Sequence, residues 1–195
     1  MIIGITGGTG CGKTTVLEII RELGGIILDC DAIYHELLQT DHTLLRAIEA
    51  RFPGSVEGNV LQRKKLGALV FNDKKSLEDL NRITHNAVKT EVTRKLTPAP
   101  ALAAIDAIGL FESGLDKLCQ LTIAVTAPKD ARIARLMARD GITQDYAQAR
   151  INAQPDQEEF IRRCDYCLEN NSTTEVFREK CLAFFYQLGI INKKP

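Results

Sequence analysis

Net charge is the first thing this sequence lacks: 25 Lys and Arg are balanced by 25 Asp and Glu over 195 residues. A balanced chain has no overall field to draw in nucleic acid or an anionic membrane, so neither is expected as a partner unless a local basic patch supplies it. Long apolar runs are missing too. None approaches the ~18 residues of a membrane span. The longest candidate, residues 99–111, is interrupted by Pro100 and Asp106. The opening MIIGITGG has no basic leader and no small-residue cleavage site, so no signal peptide is expected. Six scattered cysteines form no dense framework, which points to a reducing, cytoplasmic compartment. Repeats, low-complexity tracts and long linkers are also absent. A chain of this length, 45% apolar, reads as one domain over 1–195 with enough material for a real core.

What is present begins with alternation. Residues 1–6 are a short apolar run ending in a Gly cluster. Val16, Leu17, Ile20 and Leu23 then recur at helical spacing, Gly24-Gly25 breaks them, and residues 26–29 form a second apolar run. Strand, Gly-rich loop, helix, strand argues for an α/β fold with a parallel sheet wrapped by helices. From about 32 to 96 the apolar positions keep helical spacing and show no convincing strand, which predicts a helical insertion. Further strands are expected at 102–108, 121–126 and 166–169, with helices over 129–139 and 144–154. Ser172-Thr173-Thr174-Glu175 reads as a capping box for a last helix, whose Phe177, Cys181, Phe184, Phe185 and Leu188 face the core.

Gly7 to Thr14 fits G-x-x-x-x-G-K-[ST], in the required context between a strand and a helix. The chemistry explains the spacing. Glycines let the backbone curl its N–H groups around phosphate oxygens, and the helix that follows adds its positive end. Lys13 then reaches the β- and γ-phosphates, and the Thr14 hydroxyl can ligate Mg²⁺. The guanine-reading N-K-x-D and the Ser-Gly-Gly signature of ABC ATPases are both missing. A small kinase acting on a metabolite is the remaining class. Asp29 and Asp31 close the second strand, where the crevice of an open α/β sheet lies. They read either as a proton acceptor or Mg²⁺ ligand, or as turn and helix-capping acids. Arg132, Arg135 and Arg139 share one helical face, either as a lid that neutralises phosphoryl charge or as a solvated basic face. Cys11, at a helix N-terminus, is placed where a thiol pKa would fall. Cys164-Asp165-Tyr166-Cys167 has no second ligand pair for zinc.

Taken together, GITGGTGCGKTTV followed by LDCDA resembles the opening of the dephospho-CoA kinases. The similarity continues through Arg63, Leu66 and Phe71, through Leu80 to His85, and through Leu110-Phe111-Glu112. Arg135, Arg139-Asp140, Arg150-Ile151, Gln154, Asp165 and Asn170 extend it. The resemblance implies a P-loop NTPase-type sheet of five parallel strands, a helical substrate-binding region (about 32–96) and a lid (about 129–154). It implies transfer of the ATP γ-phosphate to the ribose 3′-hydroxyl of dephospho-CoA. Gly8, Thr9, Gly10, Cys11, Gly12, Lys13, Thr14 and Thr15 would bind ATP, with Thr14 on Mg²⁺. Asp31 would be the base, with Lys13 and Arg139 beside it in catalysis. Asp29, Arg63, His85, Leu110 and Glu112 would lie on the acceptor side. A monomer or weak homo-oligomer is expected. The chain departs from the pattern at Cys11 for Ser, Cys30 for Ala, Asn86 for Pro, Ile108-Gly109 for Pro-Leu and Arg132 for Gln. The changes at 86 and 108–109 touch the acceptor side, so a related kinase for another nucleoside or nucleotide, or a non-catalytic nucleotide-binding regulator, stands as the alternative.

Overall fold

A computed structural model describes residues 1–71 and 73–191. In chain order it shows β1 (Ile2–Thr6), α1 (Lys13–Glu22), β2 (Ile26–Asp29), α2 (Cys30–Thr40), α3 (His42–Arg51), β3 (Val56–Glu57) and β4 (Val60–Leu61). Next come α4 (Arg63–Val70), α5 (Lys74–Lys95), β5 (Ala103–Asp106), a short 3₁₀ turn, β6 (Leu121–Thr126) and α6 (Lys129–Asp140). The remaining elements are α7 (Gln144–Asn152), α8 (Gln157–Arg163), β7 (Tyr166–Glu169) and α9 (Thr174–Gln187). The chain divides into two compact units. One holds Met1–Ile27, Pro100–Leu110 and the described residues from Leu115 on; the other holds Leu28–Ala99 and Phe111–Gly114.

The first unit is built on a five-stranded sheet of order β2-β5-β1-β6-β7. Its ladders β5-β1, β1-β6 and β6-β7 are parallel. β1 is central and apolar on both faces, as a strand covered on both sides must be, and Ile3 and Ile5 are fully buried. Gly4 is required for space alone: a Cβ there would lie 2.8 Å from Leu110 Cδ2 and 2.9 Å from Cys119 Sγ. α1 and α9 close one face over this strand. Val16, Ile19 and Ile20 of α1 meet Phe177, Cys181 and Phe185 of α9 in one core cluster, with Phe184 and Leu188 packed against it. The expected α9 stripe is therefore the one observed. Its cap is shifted by one residue. Thr173, not Ser172, accepts from the Val176 N–H, so Glu175 falls inside the first turn, where its charge suits the helix's positive end. The region from 129 to 154 carries its own small cluster of Ile133, Leu136, Ala147 and Ile151, which joins α6 to α7.

The second unit is mostly helical, as the spacing predicts, with Leu38, Leu44, Leu45, Ile48, Phe52, Leu66 and Val70 as its core. Asp29, Asp41 and Asp73 cap α2, α3 and α5 with their carboxylates. The expectation of no strand here is corrected by the β3-β4 hairpin. Its two-residue turn is Gly58-Asn59, both at positive φ (56° and 63°), the geometry of a tight primed hairpin turn. Strands of two residues are too short to show an alternating pattern.

Phe177→Ala should test the α1–α9 contact, since Phe177 is fully buried against α1. A loss of about 3–5 kcal/mol in urea unfolding is expected, the usual cost of emptying a Phe site.

Candidate active site

The loop between β1 and α1 is shaped by glycines that nothing else could replace. Gly7, Gly10 and Gly12 stand at φ 137°, 77° and 100°, in or near the left-handed region. Gly8 lies against a side chain instead. A Cβ there would sit 2.2 Å from Arg132 Nη2, and one on Gly12 would sit 2.2 Å from Asn170 Nδ2. The Lys13 ammonium donates to the Gly7 carbonyl at 2.9 Å, folding back over the loop. Thr14 is exposed in the first turn of α1, and Thr15 is half-buried with its N–H on the Gly12 carbonyl at 3.2 Å. No acid occupies that first turn, so the helix's positive end is uncompensated.

The loop is held from outside. Arg132 Nε donates to the Thr9 carbonyl at 2.8 Å, and Arg135 Nη1 to the Gly10 carbonyl at 3.2 Å. Asn170 Nδ2 donates to the Cys11 carbonyl at 3.0 Å, and Arg135 Nη2 in turn bonds Asn170 Oδ1 at 3.1 Å. The Thr9 N–H is taken by Gln154 Oε1 at 2.8 Å. In a trans peptide, C=O and the next N–H point in opposite directions. With the Thr9, Gly10 and Cys11 carbonyls held by these side chains, the N–H groups of Gly10, Cys11 and Gly12 face the other way, the Cys11 N–H making a long 3.4 Å bond to the Gly8 carbonyl. That is an anion cradle built before any anion arrives.

Of the three arginines on the α6 face, Arg132 and Arg135 touch the loop. Arg139 forks onto Asp140 at 2.7 and 3.0 Å, and Asp140 also takes Arg150 at 2.6 Å. The Arg139 bond, with Arg150 behind it, holds the Asp140 carboxyl at about 2. Gln154 and Asn170 appear in the sequence only as points of family likeness, with no local pattern to mark them, whereas Arg135 was visible on the basic helical face. Asp106 is a residue that the sequence reading did not single out. It closes an apolar strand next to β1, and its charge is felt at Cys11 in the loop. An acid ending an apolar strand was the available signal. The expected low pKa of Cys11 is corrected: the thiol is only 2% exposed, and burial raises its pKa against the pull of Lys13. Thr14 and Asp106 offer hard oxygen donors of the kind Mg²⁺ takes, so the residues present fit that ion.

In the second unit, Asp29 Oδ1 accepts from the Asp31 and Ala32 N–H groups at 2.9 and 3.0 Å, so one of its oxygens serves as the α2 cap. Asp31 itself is exposed, one turn before His35 on the same face. His35 Nδ1 meets Arg63 Nη2 at 3.3 Å. On α5, the half-buried His85 ring donates to the Glu112 carbonyl, which joins two of the expected acceptor-side residues. Leu110 belongs to the other unit and is fully buried, with Cδ2 against Gly4. Its side chain is a core element and does not offer a surface to an acceptor.

A glycine cradle with a lysine at its helix end, at the edge of a five-stranded sheet with parallel ladders, defines a P-loop phosphotransferase. The chain belongs to the dephospho-CoA kinase family, whose model (CoaE, dephospho-CoA kinase) matches residues 1–175. It is 35% identical to the dephospho-CoA kinase of Geobacillus kaustophilus over 99% of both chains. The Syntrophotalea carbinolica dephospho-CoA kinase is 34% identical, covering 96% of this chain and 92% of that one. Among solved structures, a Thermus thermophilus protein matches with a TM-score of 0.79 at 33% identity, over 96% of this chain and 97% of that one. A Campylobacter jejuni dephospho-CoA kinase matches with 0.66 at 27% identity, over 96% of each. The Acinetobacter baumannii shikimate kinase, at 20% identity and a TM-score of 0.52 over 98% of this chain and 95% of that one, shares the fold.

Two outcomes follow from this geometry. Asn170→Ala should strip the Cys11 carbonyl of its side-chain donor and lower stability by about 1–3 kcal/mol, read by urea unfolding. Burial holds the His85 imidazole below its ordinary 6.5. A depressed folded value means that its contribution is present above about 6.5 and lost as pH falls. The melting temperature should therefore drop between pH 7 and 5, and His85→Gln should flatten that slope.

Proposed function

We infer that this chain is an ATP-dependent kinase that phosphorylates the ribose 3′-hydroxyl of dephospho-CoA, the last step of coenzyme A synthesis. The observation that carries the ATP half is the outward anchoring of the Thr9, Gly10 and Cys11 carbonyls. The acceptor half rests on family membership over nearly the whole chain.

In this reading the loop amides and Lys13 take the β- and γ-phosphate oxygens. Lys13 exchanges its bond to the Gly7 carbonyl for phosphate. Thr14 and Asp106 would hold Mg²⁺, which, when bound, lowers the repulsion between phosphates and the incoming hydroxyl. Asp31 accepts the 3′-hydroxyl proton as the new O–P bond forms and the β–γ bridge breaks to release ADP. Its exposure and its place in the first turn of α2 support that role. The 28–99 unit serves the acceptor, with Asp29, Arg63, His85 and Glu112 on that side. The 129–154 region acts as the lid that excludes water, and Arg139 neutralises transferred charge after exchanging Asp140 for phosphate. We propose that the protein works in the cytoplasm as a monomer or weak homo-oligomer, without a nucleic-acid partner. Among the described residues none of the six cysteines is in a disulfide, in keeping with a reducing compartment. Among the described residues no helix is long and apolar enough to cross a membrane.

Purified protein with ATP and Mg²⁺ should convert dephospho-CoA to CoA, and leave AMP and adenosine untouched. ATP binding without conversion would move the acceptor to another nucleotide. Asp31→Asn should lower kcat by about 10²–10⁴-fold, the usual span for a lost general base, with ATP affinity unchanged. Near-normal turnover in that variant would remove Asp31 from the base role.

A further inference from the structure

Arg132 is a buried cation whose bonded partners are neutral. The residue is 7% exposed. Its guanidinium donates to the Thr9 carbonyl at 2.8 Å and to Gln154 Oε1 at 3.4 Å. Asp140, two turns further along α6, is occupied by Arg139 and Arg150. Among the described residues no carboxylate pairs with Arg132. A buried charge without a counter-charge is costly, and such a group is normally matched by an ion in the functional state. Burial indeed holds its pKa below the ordinary arginine value.

Its position says which ion. The guanidinium lies directly against the phosphate loop: a Cβ on Gly8 would be 2.2 Å from Nη2 and 2.8 Å from Cζ. It bonds the same residue, Thr9, whose N–H is bonded by Gln154. A cavity of about 530 Å³ opens beside it; Lys129, Arg132 and Gln154 line it together with two acids, Asp156 and Glu158, neither of which is bonded to Arg132. The long Gln154 bond can therefore be exchanged without unpacking α6. A neutral glutamine could donate a similar bond to a loop carbonyl, so what arginine adds here is charge.

We propose that Arg132 is a counter-charge for the terminal phosphates of the bound nucleotide, stored beneath the loop on Thr9 and Gln154 until the triphosphate neutralises it. This rests on the reading of the loop as the ATP site. It is a positioning and charge-compensating role and does not require Arg132 to touch the acceptor.

The test is calorimetric titration of the full-length protein and of Arg132→Gln and Arg132→Lys with ATP, ADP and AMP, at low and high salt, beside melting curves without nucleotide. Arg132→Gln should weaken ATP about tenfold, ADP less, and AMP within twofold of the parent, a scale set by one charge-assisted contact. Its ATP affinity should also depend less steeply on salt. Arg132→Lys should recover part of the loss. The nucleotide-free Arg132→Gln protein should melt no lower than the parent, because an unpaired buried charge has gone. Equal losses for ATP and AMP with a lowered melting temperature would make Arg132 a mere buttress and overturn the proposal. Unchanged ATP affinity in Arg132→Gln, with the parent binding ATP, would overturn it alone. A parent that binds no ATP would overturn the ATP-site reading together with it.

Discussion

The outward pull on three consecutive carbonyls, those of Thr9, Gly10 and Cys11, is the constraint on which the rest of the active site depends. A glycine-rich loop is the most flexible kind of backbone, and left alone it would sample many shapes. Arg132, Arg135 and Asn170 remove that freedom from behind. They come from α6 and from the residue after β7, elements far away in sequence. The sheet order explains how they arrive. β1 is central, β6 lies beside it and β7 beyond, so the segments that follow β6 and β7 emerge next to the loop that follows β1. The Phe177–Cys181–Phe185 stripe of α9 then seals α1, the helix that the loop opens.

The same arrangement concentrates positive charge. Lys13, Arg132, Arg135 and the N-terminus of α1 all converge on a few residues of backbone, and α1 has no acid in its first turn. The protein accepts that repulsion in a chain of zero net charge by spending its acids elsewhere: Asp140 on Arg139 and Arg150, and Asp79 on Arg51 and Arg82. The result is a local anion trap inside a neutral molecule, which composition alone would never have suggested.

The order of strands and helices in the first unit was legible because each strand is a short apolar run and each break is a glycine or proline. The phosphate loop was legible because its chemistry demands one spacing. The helical unit was legible in its periodicity but not in its hairpin, whose strands are shorter than any pattern. The outer supports were the hardest part. Arg135 and Asn170 donate to loop carbonyls and Gln154 accepts from the Thr9 N–H; helical spacing put Arg135 on a basic face, but no motif betrays what any of the three bonds. Family likeness marked the positions but not the roles. The Leu110 side chain and the Cys11 thiol show the converse. Both stand in functional sequence contexts, yet burial governs them: Leu110 fills the space that Gly4 leaves, and the Cys11 thiol is raised in pKa rather than activated.

The central claim is that the phosphate loop holds its nucleotide-ready shape before nucleotide binds. Residue-resolved amide hydrogen exchange over residues 7–15, with and without ATP, tests it directly. The account predicts that the Thr9 N–H, bonded to Gln154, is already slow to exchange in the free protein and changes little with ATP. Fast exchange at Thr9 in the free protein, slowing only when ATP is added, would mean that the nucleotide builds the loop and that the anchoring from α6 and Asn170 does not.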